Sequence, residues 1–273
     1  MSDVGGVRMY FGTASGSARK ALQKMEEPHV MLSIQSESAV PWDGIGHLFL
    51  DSGGFSLMFA QRDHPPTPEY LDEVDRYGAD IFAVQDYPCE PEILERHGRT
   101  VAQHQAMTTE RTAETIAAYE DGYLESDAEP VAVVQGWLLQ QYLDHLRELR
   151  DQGCLTETVA IGSVCRRHQE DAIRDIVLAI RERIGPDRKL HAFGVKRSIL
   201  GYEGVREALT SADTTAWYFR NYESRNEIDE TWQSMCRLYL DYRRDLAKQA
   251  GILHAPRGDQ TTLTESAGAG GGS

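Results

Sequence analysis

The chain has few cysteines and almost as few lysines, and each shortage excludes something. Cys89, Cys154, Cys165 and Cys236 lie far apart with no C-x-x-C or C-x-C pair. That spacing argues against a structural zinc site and against a disulfide framework; such isolated cysteines are most often small apolar core residues. No run of roughly 18 uncharged apolar residues occurs, so nothing reads as a membrane-spanning helix, and the opening Met1-Ser2-Asp3-Val4 lacks the form of a signal peptide. A soluble, cytoplasmic protein is expected. Neither a G-x-G-x-x-G nor a P-loop follows the first apolar strand, which weakens a doubly wound, dinucleotide-binding reading.

The charge is one-sided. Lysine and arginine number 28 against 43 acids, a net charge of −15, and only 5 of the 28 are lysine. Such a balance ordinarily counts against nucleic-acid binding. An acid-rich, lysine-poor surface also fits a high-salt cytoplasm, where the field is screened within a few Å. The charge therefore speaks to the environment more than to the ligand, and a local basic cleft is still allowed.

With 273 residues and 41% apolar content, the chain can bury one large core. Apolar strands alternate with helices: strands at Val7–Gly12, His29–Ile34, His47–Ser52, Ile81–Asp86, Val131–Gln135, Thr158–Gly162, Leu190–Gly194 and Asp213–Tyr218. The helices between them include Thr67–Tyr77, opening on Thr-Pro-Glu, and Gln169–Ile184, where Ile173, Ile176, Val177 and Ile180 keep the helical spacing. Tyr87 to Pro91, with two prolines, reads as a loop, and a last helix covers about 228–250. Eight mostly continuous apolar strands separated by helices favour an α/β fold, a single-domain (β/α)8 TIM barrel over residues 1–255, with an open sheet as the main rival. Residues 256–273, ending Gly-Ala-Gly-Gly-Gly-Ser, read as a disordered tail.

The stretch that organises the rest is Leu48 to Phe55, an apolar strand followed by Asp51, Ser52, Gly53, Gly54 and Phe55. It places a carboxylate at the rim of a sheet, where the glycines let a flat ligand approach bare backbone. Alone it reads equally as a capped turn. Other strand ends repeat the arrangement: Asp86, Gln135 with Gly136, Gly162, Gly194 and Asp213. In a barrel these positions meet at the C-terminal mouth. Histidine is absent from them, which argues against a barrel metallohydrolase. Carboxylates around a glycine-walled slot suit a nucleobase, since one acid can accept from an N–H and amino edge while an amide and a backbone N–H serve a carbonyl. A further carboxylate can attack an anomeric carbon.

These residues resemble the tRNA-guanine transglycosylase superfamily. Asp51-Ser52-Gly53-Gly54-Phe55 is similar to its signature, Val133-Val134-Gln135-Gly136 to its base-binding turn, and Ala160-Ile161-Gly162 and Phe193-Gly194-Val195 to its later strands. Asp213 stands where the family has its nucleophile. The family's C-x-C-x-x-C…H zinc site is missing, with only Cys236 in that region, and no C-terminal RNA-binding domain is expected. Gln85 to Pro91, Gly162 to Arg167 and Ser211-Ala212-Asp213 look more like the phage and viral DpdA-type branch, which inserts 7-deazaguanines into DNA. With the halophile-like composition, the resemblance implies a haloarchaeal or haloarchaeal-virus member.

By this resemblance Asp213 attacks C1′ of a deoxyguanosine and Asp51 is the general acid/base. Asp86 holds the N1–H/amino edge, Gln135 with the Gly136 or Gly162 backbone holds the carbonyl, and Phe55 and Phe193 stack on the ring at ~1–3 kcal/mol. Arg166, Arg167, Lys196 and Arg197 are phosphate-contact candidates, with a salt-bridged rim as their plainer reading. No cofactor or metal is implied; the partners are DNA, or alternatively tRNA, and a free 7-deazaguanine such as preQ0. A catalytically silent nucleic-acid-binding barrel and a nucleoside hydrolase-like enzyme stay as rivals.

Overall fold

A computed structural model describes residues 3–36, 44–165, 167, 169–218 and 230–251. The tail expected at 256–273 and the phosphate-contact candidate Arg166 lie outside these residues. Among the described residues nine strands form one sheet: β1 (Asp3–Val4), β2 (Val7–Gly12), β3 (His29–Ser33), β4 (His47–Asp51), β5 (Ile81–Ala83), β6 (Glu129–Val134), β7 (Thr158–Ile161), β8 (Lys189–Ala192) and β9 (Ser211–Thr214). From β2 to β9 every neighbouring pair is parallel, and β9 pairs back onto β2 with Tyr10 opposite Asp213. The sheet is therefore a closed eight-stranded TIM barrel; β1 adds a short antiparallel hairpin to β2.

Around it run α1 (Gly16–Lys24), α2 (Gly54–Phe59), α3 (Thr67–Tyr77), α4 (Pro91–His97), α5 (Val101–Glu120), α6 (Leu139–Asp151), α7 (Glu170–Ile184), α8 (Glu203–Ala208) and α9 (Trp232–Gln249). The longest, α5, begins in a capping box between Thr100 and Gln103, which satisfies backbone donors that a helix start leaves unpaired.

Alternation along each strand divides the core in two. Met9 and Phe11, Leu48 and Leu50, and Val159 and Ile161 face outward into the layer beneath the helices. Tyr10, Met31, Phe49, Val131, Val133 and Ala160 fill the barrel interior, with Phe193 packed against them. Two residues beyond an inward side chain the chain faces inward again, now at the C-terminal mouth. Asp51 thus follows Phe49, Gln135 follows Val133, Gly162 follows Ala160, and Phe193 follows His191.

Most strand ends differ from the sequence reading by one or two residues, and three differences bear on the site. The last barrel strand is Ser211–Thr214 rather than Asp213–Tyr218, because its register with β2 runs from Arg8↔Ser211 to Phe11↔Thr214. Trp217 then leaves the sheet and donates from Nε1 to Gly12 O at 2.8 Å. β5 stops at Ala83, so Asp86 is carried by a loop rather than by a strand end. The Tyr87–Pro91 loop leads directly into α4, with Pro91 at its first turn, where a missing N–H costs nothing.

Candidate active site

A cavity of about 410 Å³ opens at the C-terminal mouth and is lined by residues from across the barrel, among them Asp51, Phe55, Asp86, Gln135, Gly162, Phe193 and Asp213. Its size lies in the range of small-molecule pockets, roughly 300–1,000 Å³. The three carboxylates singled out in the sequence share this one cavity.

Asp51 ends β4. Gly53 N–H donates to its Oδ2 at 3.2 Å, from a left-handed backbone (φ 73°) that suits glycine. Although Asp51 keeps partial solvent contact, protein surrounds its carboxyl. Burial first, then the negative charges of Asp86 and Asp213, push it up to about 7, and the bonds from Gly53 and Ser33 offset only part of that rise.

Asp86 is held at both oxygens. Ser52 Oγ donates to Oδ1 at 2.7 Å and Gln135 Nε2 to Oδ2 at 2.5 Å. Its loop is pinned from several sides: His64 Nε2 bonds to Asp86 O at 2.8 Å, Tyr87 N–H to Thr108 Oγ1 at 3.0 Å, and His104 Nδ1 to Pro88 O at 2.6 Å. Burial pushes the His64 and His104 imidazoles below the ordinary histidine value. Gly54 lets this loop approach, since a Cβ there would stand 2.4 Å from Asp86 O.

Gln135 is anchored through its main chain. Its N–H donates to His145 Nδ1 at 2.8 Å, and Gln105 Nε2 from α5 donates to its carbonyl at 2.7 Å. Burial lowers His145 to about 4, so it stays a neutral acceptor. Gly162 leaves room for the Gln135 amide, which a Cβ would meet at 2.3 Å.

Asp213, on β9, receives Gly194 N–H at Oδ1 at 2.7 Å and His191 Nε2 at 3.3 Å on the same oxygen. Phe193 packs tilted on Phe49 with ring centroids 5.7 Å apart, and Phe55 stacks on Phe59 at 5.9 Å.

Other expected residues lie off the cavity wall. Ser52 supports Asp86 from behind, and Gly136 sits against α6, where a Cβ would meet Tyr142 N at 2.9 Å. Arg167 is buried; its guanidinium lies 4.2 Å from the Trp137 ring centre, with Nε donating to Ser163 O at 3.1 Å and Nη2 to Trp137 O. Arg197 pairs with Asp245 at 2.7 Å. Lys196 is half-buried and precedes the 3-10 turn Arg197–Gly201.

Several cavity or near-cavity residues were given no role from the sequence, among them Ser33, Glu90, Ser163 and His191. Buried Glu90 and Gln135 meet through Ser163, whose Oγ is 2.7 Å from both Glu90 Oε2 and Gln135 Oε1. One hydroxyl hydrogen serves one of these acceptors at a time. Ser163 also sits at φ 53°, unusual for a residue with a side chain. Ser33 and His191 were within reach of strand parity, two residues from Met31 and Phe193; Glu90 and Ser163 lie in the DpdA-like stretches Gln85 to Pro91 and Gly162 to Arg167, but nothing local gives either a role. Among the described residues no group of three or more His, Cys, Asp or Glu side chains could hold a metal ion, and no helix is long and apolar enough to cross a membrane.

Fold and site together define a (β/α)8 barrel with an acidic, glycine-walled cavity at the end where barrels of this class carry their chemistry. The sequence profile of the family DpdA, described as DeoxyPurine in DNA protein A, matches residues 25–269, and the chain belongs to that family. No curated protein matches the chain significantly.

Proposed function

We propose that the protein is a base-exchange glycosyltransferase that replaces guanine in DNA with a 7-deazaguanine base of the preQ0 type. The observation that carries this reading is a carboxyl at about 7, Asp51, in one cavity with Asp213. The family's printed description, which names deoxypurine in DNA, supports DNA as the substrate.

In the first displacement an Asp213 carboxylate oxygen attacks C1′ of the target nucleotide. The C1′–N9 bond breaks, its electron pair stays with guanine, and Asp51 delivers a proton to the departing base. In the second, Asp51 takes the N9 proton of the incoming deazaguanine, N9 attacks C1′, and Asp213 leaves as a carboxylate. Two inversions retain the configuration. An acid/base at about 7 suits both halves at neutral pH, since it is comparably populated in either form. Asp86 accepts from the N1–H and amino edge, and the second Gln135 amide hydrogen serves the carbonyl, since the Gly162 N–H expected there is taken by Val134 O. Phe55 and Phe193 cover the ring. The target guanine must leave the helix stack to enter such a cavity, and Lys196 is the proposed rim contact to phosphate.

Exchange of labelled guanine into duplex DNA and into tRNA, run side by side in molar salt, tests this. Label is expected in DNA. Label in tRNA alone would overturn the substrate, and guanine release that leaves abasic sites would indicate a hydrolase instead.

A further inference from the structure

Behind Asp213, inside the barrel, lies a buried histidine that the exchange chemistry above does not use. His191 is fully buried on β8 and pairs in register with Ser211 on β9. Its Nδ1 lies 2.9 Å from Ser211 Oγ and its Nε2 3.3 Å from Asp213 Oδ1. Ser211 and Asp213 stand two apart on one strand, hence on one face, so the imidazole bridges them. Phe49 and Phe193, at centroid distances of 4.9 and 4.7 Å, hold the ring by their edges. An imidazole so enclosed cannot turn away from the carboxylate.

We propose that His191 is a positioning residue that, with Gly194 N–H, ties down Asp213 Oδ1 and so makes Oδ2 the oxygen that attacks C1′. This rests on the transglycosylase reading of the site. Both donors converge on Oδ1, and among the described residues none reaches Oδ2. Ser211 sets the tautomer: its O–H donates to Nδ1, which leaves the ring proton on Nε2, facing Asp213. In the first displacement the new bond is Oδ2–C1′ and Oδ1 becomes the ester carbonyl. In the second the Oδ2–C1′ bond breaks, its electron pair returns to the carboxylate, and the same two donors receive the charge that spreads onto Oδ1. No proton leaves His191 in either step.

The test uses the full chain and three variants: His191→Phe, which keeps an aromatic ring but removes the donor, His191→Gln, which restores an N–H donor, and Ser211→Ala, which releases the tautomer. Thermal unfolding checks that each is folded. Loss of such a supporting contact is expected to lower kcat for guanine exchange ~10–100-fold in His191→Phe, with KM for the free base within about twofold. His191→Gln should recover a large part of that loss, and Ser211→Ala should fall in between. Wild-type kcat in His191→Phe, or a Gln variant no better than Phe, overturns the assignment. A readout independent of turnover is the ¹⁵N spectrum of the His191 ring: a proton on Nε2 whose signal moves in Asp213→Asn and in Ser211→Ala supports the bridge, and an unmoved signal overturns it. If the wild type exchanges no base into any nucleic acid, the transglycosylase reading fails, while the spectrum still decides whether His191 holds Asp213.

Discussion

At Asp51, burial and two neighbouring carboxylates push in one direction, and the proton is held until about pH 7. In the unfolded chain an aspartate releases it near 3.9. Between those values the folded state binds more protons than the unfolded state, so this group's contribution to stability is full below about pH 4 and is lost as pH rises through about 7. Asp51→Asn, which carries no charge, escapes that loss. It is expected to be more stable than the wild type at pH 8 by about 1–3 kcal/mol, allowing for partial solvation of the carboxyl, with the gap narrowing at pH 5; denaturant unfolding at the two pH values measures it. The same variant should lose most exchange activity, and the wild-type kcat should show a pH limb near 7. Asp213→Asn should remain folded yet form no covalent adduct with DNA on a denaturing gel, and an active variant would remove it as nucleophile.

At the scale of elements, glycine sets how closely the loops around the cavity approach one another. Gly54 opens α2 directly under Asp86 O, and the atom its Cβ would meet at 2.4 Å is backbone, which cannot swing aside. Gly54→Ala should therefore displace the Asp86 loop and weaken binding of the free deazaguanine by ~10-fold or more, at a cost of ~1–3 kcal/mol in stability. Calorimetry and denaturant unfolding would measure the two effects. Thr100→Ala is the contrasting case. It removes the side chain that caps α5, a residue outside the cavity lining, and should cost ~1 kcal/mol while leaving exchange unchanged. The long helices were legible because end signals or apolar spacing mark them: α3 has Pro68 in its first turn and Gly78 at its end, and α7 carries the Ile173–Ile180 stripe. The short α2 was not, since six residues opened by Gly-Gly give no periodicity to read. Pro91 looks like a loop-former until its place at a helix start is known.

For the whole molecule, the net charge of −15 opposes compaction. Raising KCl from about 0.1 to 1 M shortens the Debye length from ~10 to 3 Å, so the melting temperature should rise over that range. A melting temperature that falls would mean that attractive ion pairs outweigh the repulsion. Closure has its own fastening: β2 pairs with β9, Trp217 bonds to Gly12 O, and Lys20 on α1 lies 5.6 Å from the Trp232 ring centre on α9.

By itself the amino-acid order determined the alternation of strands and helices and, through the two-residue period of a strand, which positions face the barrel mouth: Asp51, Gln135, Gly162 and Phe193 follow from that parity, whereas Asp213 is placed there by the register of β9 on β2. It could not determine the state or partners of those groups. The proton on Asp51 depends on charges brought close from β9 and from the loop after β5, and the bridge from Ser211 through His191 to Asp213 depends on which strands become neighbours. The inward packing of Arg167 likewise appears only once the Trp137 ring lies beside it. Local spacing encodes direction along a chain, whereas electrostatics and hydrogen bonding act over a few Å in space, and only the closed barrel supplies those distances.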